Sequence, residues 1–125
     1  MFSFYKSHWF DTIDFTTLTE INDDDLEKII INAPHVKKLN IGWCTNITPV
    51  SFQLALWQFE KLEAIDIRGC KFSNKVCFEI GNYCQNLKSL NLSGATYLQD
   101  YVIENIAKTC IYLNEIRLSG CELLT

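Results

Sequence analysis

Apolar and polar residues alternate in short segments that recur along the chain at a nearly constant spacing. The segments read VKKLNIGWC, LEAIDIRGC, LKSLNLSGA and LNEIRLSGC, and they begin at Val36, Leu62, Leu87 and Leu113. These starts lie 26, 25 and 26 residues apart, and a fainter copy, FDTIDFTTL, begins at Phe10, 26 residues before the first. The alternation predicts a short, half-buried strand in each copy. A fixed period of this length predicts a solenoid of stacked repeats.

A helix is predicted in the second half of each repeat. Residue types that favour the first positions of a helix recur at Asn22/Asp23, Thr48/Pro49, Ser73/Asn74 and Gln99/Asp100. Apolar residues then follow at helical spacing: Leu26, Ile29, Ile30; Phe52, Ala55, Leu56; Cys77, Ile80; and Ile103, Ile106, Ala107. Each repeat is therefore predicted to be a strand, a turn and a helix of about ten residues.

The strands are apolar on one face only, and this decides how the layers are arranged. A parallel sheet covered by helices on both faces would read as continuous apolar runs, so one face of this sheet is expected to stay open. The LxxLxL motif is the signature of the leucine-rich repeat. The expected fold is therefore α/β, a right-handed horseshoe segment with about 25–26 residues per repeat and a parallel sheet on its concave face. It is expected to span residues 10–125.

Candidate binding residues follow from the same alternation. The third, fifth and seventh positions of LxxLxLxx point away from the core and onto the concave face, and solenoids use this face for binding. The candidates for partner binding are Lys38, Asn40, Trp43, Asp66, Arg68, Asn91, Ser93, Glu115 and Arg117. Their mixed charge suits a protein or peptide better than a nucleic acid.

Trp43 differs from its equivalents in the other copies, which are Gly69, Gly94 and Gly120. Large aromatic side chains often dominate the energy of a protein interface, so Trp43 could anchor a partner. It could equally cover the neighbouring loops. The sequence leaves both interpretations open.

Composition narrows the class of protein. The 125 residues suffice for one domain, and the net charge of −4 with a pI near 5.1 argues against a nucleic-acid partner. No apolar run approaches the ~18 residues that span a bilayer, and the N-terminus lacks the features of a signal peptide, so no membrane association and a cytoplasmic or nuclear location are expected. No cofactor-binding, metal-binding or catalytic motif occurs, and the chain is not expected to be an enzyme.

The six cysteines fall at repeat-specific positions. Cys44, Cys70 and Cys121 share one position with Ala95, while Cys84 and Cys110 share another with Ala33 and Phe59. Cys77 lies on the apolar side of a predicted helix. Because alanine and phenylalanine stand at equivalent positions, these thiols are expected to be buried core groups.

These cysteines also carry a family resemblance. Cys84-x-x-Leu87, the LxxLxLxxC pattern and GWC followed by TNIT at 42–48 resemble the cysteine-containing leucine-rich repeats of F-box/leucine-rich-repeat proteins and the related antagonist-of-mitotic-exit-like proteins. The resemblance implies a protein-binding module that recognises the substrate of an SCF-type E3 ubiquitin ligase. The alternative is a scaffold or regulatory protein without a ligase link. The implied partner is a protein substrate or regulatory protein.

The two ends of the chain raise separate expectations. YKSHWFDTIDF (5–15) resembles the junction between an F-box and the first repeat, so residues 1–9 could be an F-box remnant. A Skp1-type adaptor would then bind only through an F-box that is mostly absent here. Alternatively, the aromatic residues of this segment form an N-terminal cap. The fifth copy is incomplete because it lacks its helix, which favours a fragment of a longer repeat protein.

Overall fold

The computed structural model describes residues 11–33 and 35–125, and it confirms the predicted α/β solenoid. The strands are Thr12–Asp14 (β1), Lys38–Asn40 (β2), Ala64–Asp66 (β3), Ser89–Asn91 (β4) and Glu115–Arg117 (β5). The helices are Asp23–Asn32 (α1), Pro49–Gln58 (α2), Asn74–Tyr83 (α3) and Asp100–Thr109 (α4). The two interpretations of residues 1–9 concern a segment outside the described residues.

The sheet is parallel, with its five strands in the order of the sequence. Equivalent residues of neighbouring repeats pair, so Ile13 aligns with Leu39, Leu39 with Ile65, and Leu90 with Ile116. The central residue is buried in β1 to β4, while its two neighbours are partly or fully exposed. This is the predicted alternation, in which the helices cover one face of the sheet and leave the other open.

The helices begin where the N-cap residues predict. Asn22 and Asp25 form a reciprocal capping box at the start of α1, and the Thr48 and Ser73 hydroxyls accept bonds from Val50 and Val76. Gln99 makes no such bond at α4. Each helix has ten residues, and within the described part of the chain none has the length and apolar character that a bilayer crossing requires.

A second set of polar contacts joins successive repeats at the helix N-termini. The Asp23 carboxylate accepts hydrogen bonds from the Thr48 backbone N–H, at 2.8 Å, and from the hydroxyls of Thr48 and Ser51. The Asn74 side chain likewise accepts from the Gln99 N–H, and Asp100 accepts from the Thr125 N–H. The equivalent residue in α2 is Pro49, which offers no side-chain acceptor, so this contact is missing between α2 and α3.

Burial decreases in the last repeat. Leu87, Leu90 and Leu92 are at most 1% exposed, whereas their equivalents Leu113, Ile116 and Leu118 are only partly buried. The expected core position Ala107 is exposed, which corrects the sequence-based prediction. Its equivalents Ile30, Leu56 and Gly81 are buried, and Gly81 packs closely against α4, whereas no helix follows α4 among the residues that the structure describes.

Candidate functional site

The open face of the sheet forms a shallow groove of about 390 Å³. This concave groove is lined by residues of all five strands and by Arg68, just beyond β3. It brings together seven of the nine predicted partner-binding residues: Lys38, Asn40, Asp66, Arg68, Asn91, Glu115 and Arg117. Ser93 and Trp43 do not line the groove. They follow the ends of β4 and β2 by two and three residues.

The acidic and amide side chains at the strand ends accept backbone hydrogen bonds that the sequence analysis did not predict. Asp14, Asn40, Asp66 and Asn91 each accept a hydrogen bond from the backbone N–H two residues further on, at 2.9–3.1 Å. Such Asx turns bend the chain out of the strand. The recurrence of Asn or Asp at the predicted ends of the first four strands could have predicted these hydrogen bonds. The fifth repeat has Arg117 there, which cannot accept this bond.

The charges of the groove are largely paired within it. The Arg68 Nε atom lies 3.4 Å from an Asp66 carboxylate oxygen, and the Arg117 guanidinium lies 3.8 Å from Glu115, which also accepts from Ser89. Among residues 11–33 and 35–125, no ion pair includes Lys38. The floor of the groove is therefore polar and close to neutral, with a free ammonium on β2.

Arg68 lies against the neighbouring repeat. A Cβ atom on Gly42 would be 3.1 Å from both Cγ and Nε of Arg68, so glycine at this position leaves room for the arginine. Hydrogen bonds from Thr16 lower the pKa of Asp14, and the positive charge of Arg68 lowers it further. The side chain thus reaches from β3 across β2 toward β1. Its Nε is buried and has no hydrogen-bond partner in the described part of the chain.

Trp43 adopts a left-handed backbone conformation, with φ of 63°, as do Gly69, Gly94 and Gly120 at the equivalent positions. This conformation disfavours most residues other than glycine, and a tryptophan there costs about 1–2 kcal/mol. The indole ring lies so close over Gly69 that a Cβ atom added to Gly69 would overlap it. Trp43 therefore packs on the neighbouring loop, yet 59% of its surface is exposed.

Comparisons with known proteins agree with this geometry. A family model described as leucine-rich repeat matches residues 83–100. The F-box/LRR-repeat protein 4 of Bos taurus is 31% identical to this chain over 96 residues. The chain has the leucine-rich-repeat fold. Its repeats are similar to those of this F-box/LRR protein, and the match covers 73% of the chain but only 16% of the relative.

A solved structure shows the same leucine-rich-repeat architecture at low sequence identity. The C-terminal domain of tropomodulin from Caenorhabditis elegans superimposes with a TM-score of 0.68, covering 88% of this chain and 74% of that domain. The identity is 9%, so this likeness supports the fold alone. The family model and the curated relative indicate a leucine-rich-repeat module for protein interaction.

The cysteines belong to the core of the leucine-rich repeats. All six are buried, as predicted, and burial raises the pKa of Cys70 and Cys84 to about 12 and that of Cys77 to about 11. The thiols of Cys70 and Cys121 point to the backbone carbonyls of Ile41 and Leu92 in the preceding repeat, at 3.2 and 3.3 Å. Within the described residues no cluster of three potential metal ligands occurs.

Proposed function

We propose that the concave groove binds a protein partner and that the chain is the substrate-recognition part of an F-box protein in an SCF-type E3 ubiquitin ligase. The partner-binding half of this proposal is supported by the groove itself, whose lining includes seven of the polar residues predicted to contact a partner. Its small residues, Ala64 and Ser89, leave the floor accessible to an extended segment of a partner.

The charges of the groove favour a protein over other ligands. Lys38, Arg68 and Arg117 are interspersed with Asp14, Asp66 and Glu115, and no basic stripe is present among these residues. Interspersed charges give specificity for a partner with a matching pattern, whereas a nucleic acid requires a field of one sign. The exposed indole of Trp43 at the rim and the arginines are the residue types that dominate interface energies.

The ligase link rests on the similarity to F-box/LRR-repeat protein 4. The chain spans 16% of that relative's length, so the adaptor and ligase belong to the proposal alone. The test is to purify the full-length polypeptide that contains these repeats and to ask whether a Skp1-type adaptor co-purifies in equal amount. Absence of the adaptor would reject the ligase link and favour the scaffold or regulatory alternative, while leaving the binding groove as a separate question.

The binding surface is tested with single alanine substitutions. Trp43→Ala, Arg68→Ala and Arg117→Ala in the full-length protein should each reduce capture of its partners, by about tenfold where the residue is an anchor. Lys28→Ala is the matched control. Lys28 is an exposed residue of α1, on the side of the sheet away from the groove, so this variant should bind partners normally. Equal melting temperatures must show that the variants fold. Normal capture by all three alanine variants would place the binding surface elsewhere.

A further inference from the structure

The convex side of the molecule carries an apolar groove that the proposed function does not use. This convex groove has a volume of about 590 Å³. It is lined by Gln53 and Trp57 of α2, Lys75, Phe78 and Glu79 of α3, and Tyr101 of α4. The sheet and its concave groove lie on the other side of the helices, so an occupant here would leave the concave groove open.

The aromatic side chains of this groove are exposed well beyond what the fold requires. Trp57 is 50% exposed and Tyr101 is 48% exposed. Phe78 stands beside Tyr101, with ring centroids 6.0 Å apart, and Tyr83 extends the patch next to Trp57, at 6.3 Å. Contiguous exposed aromatic surface on a folded domain usually marks an interaction site. Aromatic residues are also enriched at the centres of protein interfaces.

The charged residues beside the aromatic rings form a self-complementary pattern. Lys75 and Glu79 lie one helical turn apart on α3, on the same stripe as Phe78. Glu79 accepts a hydrogen bond from Gln53 at 2.7 Å, which fixes its carboxylate at one wall of the groove. If a second α3 lies antiparallel on the first, Lys75 of each copy faces Glu79 of the other, and the two Phe78 rings meet between these pairs. An isologous contact requires this kind of self-complementary surface.

We infer that the convex groove is a homodimer interface, in which α3 of one copy packs antiparallel on α3 of a second copy. Trp57 and Tyr101 flank the central helix pair and supply the apolar surface that is buried. A partner of a single charge sign would match only one of Lys75 and Glu79, whereas a second copy of this chain matches both. The dimer would present two concave grooves facing outward, on opposite sides of the assembly.

The decisive experiment measures self-association by analytical ultracentrifugation over a series of concentrations of the 125-residue chain. The wild type should form a dimer. Lys75→Glu places two acidic side chains opposite each other in both ion pairs, and Glu79→Lys does the same with basic ones. Each variant alone should dimerise at least about tenfold more weakly, because like charges across an interface repel.

Mixing these two variants should restore the dimer. In the mixed pair, Glu at position 75 faces Lys at position 79 of the other copy, and the unchanged Glu79 faces the unchanged Lys75, so both contacts are again attractive. Lys28→Glu, an equal charge change on α1, is the matched control and should dimerise as the wild type does. All variants should show native circular dichroism and a cooperative melting transition, which excludes loss of fold as the cause; Glu79→Lys should melt at a somewhat lower temperature because it loses the hydrogen bond from Gln53.

Three results would overturn the inference. The wild type could sediment as a monomer at every concentration. It could associate equally well with Lys75→Glu in place, which would assign association to another surface such as the free edge of β5. The mixture could also fail to recover the dimer, which would show that these two residues do not face each other across the interface.

Discussion

Several side chains on the concave side act in the fold and are also proposed to contact a partner. Asn40 and Asp66 end their strands through Asx turns, so only their remaining lone pairs can contact a partner. Trp43 is the clearest case, since its backbone is strained and its ring covers Gly69 while more than half of its surface stays exposed. Strain held at an exposed position is a reason to expect a function there.

The contact between Trp43 and Gly69 predicts that alanine substitutions at Gly69 and at the equivalent Gly94 destabilise the protein to different extents. Gly94→Ala puts a methyl group on a residue in the left-handed conformation, where the new Cβ would lie 3.6 Å from the nearest atom and meet no steric clash. The substitution should lower the free energy of unfolding by about 1–2 kcal/mol through backbone strain alone. Gly69→Ala carries the same strain and also collides with the indole ring, so it should cost more. Urea unfolding of the two variants measures the difference.

Removing the indole provides the control for this comparison. In a Trp43→Gly background, Gly69→Ala should cost no more than Gly94→Ala, because only the backbone strain is left. If the extra cost of Gly69→Ala persisted without the tryptophan, the packing of Trp43 on this loop would be wrong.

At the scale of the elements, the contacts between helix N-termini tie each repeat to the next. Asp23 joins α1 to α2, and Asn74 joins α3 to the segment before α4. Pro49 at the start of α2 suits a first helical position but cannot continue the series. The boundary between α2 and α3 therefore lacks this contact and depends on the hydrogen bond from Gln53 to Glu79 and on apolar packing, including the stacked rings of Phe52 and Phe72 with centroids 4.8 Å apart.

Asp23 should make stability depend on pH. Burial by itself raises its pKa, but the hydrogen bonds from Ser51 and Thr48 outweigh it and hold the pKa below the usual value of 3.8. The folded state therefore favours the charged form, which stabilises the protein above pH 3.8 and loses this effect as the pH falls through the lowered pKa. Asp23→Asn should reduce the free energy of unfolding at neutral pH by about 1 kcal/mol and flatten its decline in acid.

Asp24→Asn is the matched control, because Asp24 is the next residue on α1 and is exposed. Chemical unfolding of both variants at neutral pH and at several pH values below 5 would test the difference. Identical pH profiles for Asp23→Asn and the wild type would contradict the role given to this carboxylate.

At the scale of the whole molecule, the stack buries its core well through four repeats and less well in the fifth. Leu113, Ile116 and Leu118 pack on the fourth repeat but keep one side open. The outer edge of β5 is unpaired within the described residues. Free strand edges and partly covered apolar residues both favour association with another surface.

Extending the chain beyond Thr125 with a helix and a sixth repeat should stabilise it. The added elements would cover Ile116 and Leu118, and fully burying a side chain of this size contributes about 1.5–3 kcal/mol. The melting temperature should rise by several degrees. An extension of the same length with its core leucines changed to serine is the control. Equal melting temperatures for both extensions would show that the fifth repeat gains nothing from being covered.

The sequence by itself determined the repeat, its strands and helices, the buried thiols and most of the groove. These features follow from local patterns, because a period of two fixes which side of a strand is apolar and an N-cap residue fixes where a helix begins. Equivalent positions in successive copies then show that a cysteine replaced by alanine or phenylalanine is a core residue. Thus Leu39, Cys44 and Thr48 could each be assigned from a few neighbours in sequence.

Only the tertiary structure decided which residues of different repeats touch. Trp43 on Gly69, Arg68 against Gly42 and Thr48 bound to Asp23 are contacts between residues 25 or 26 positions apart. They depend on the offset and tilt with which one repeat stacks on the next, and the periodicity of a single repeat contains neither. The same holds for Ala107, whose exposure is set by whether another helix covers α4.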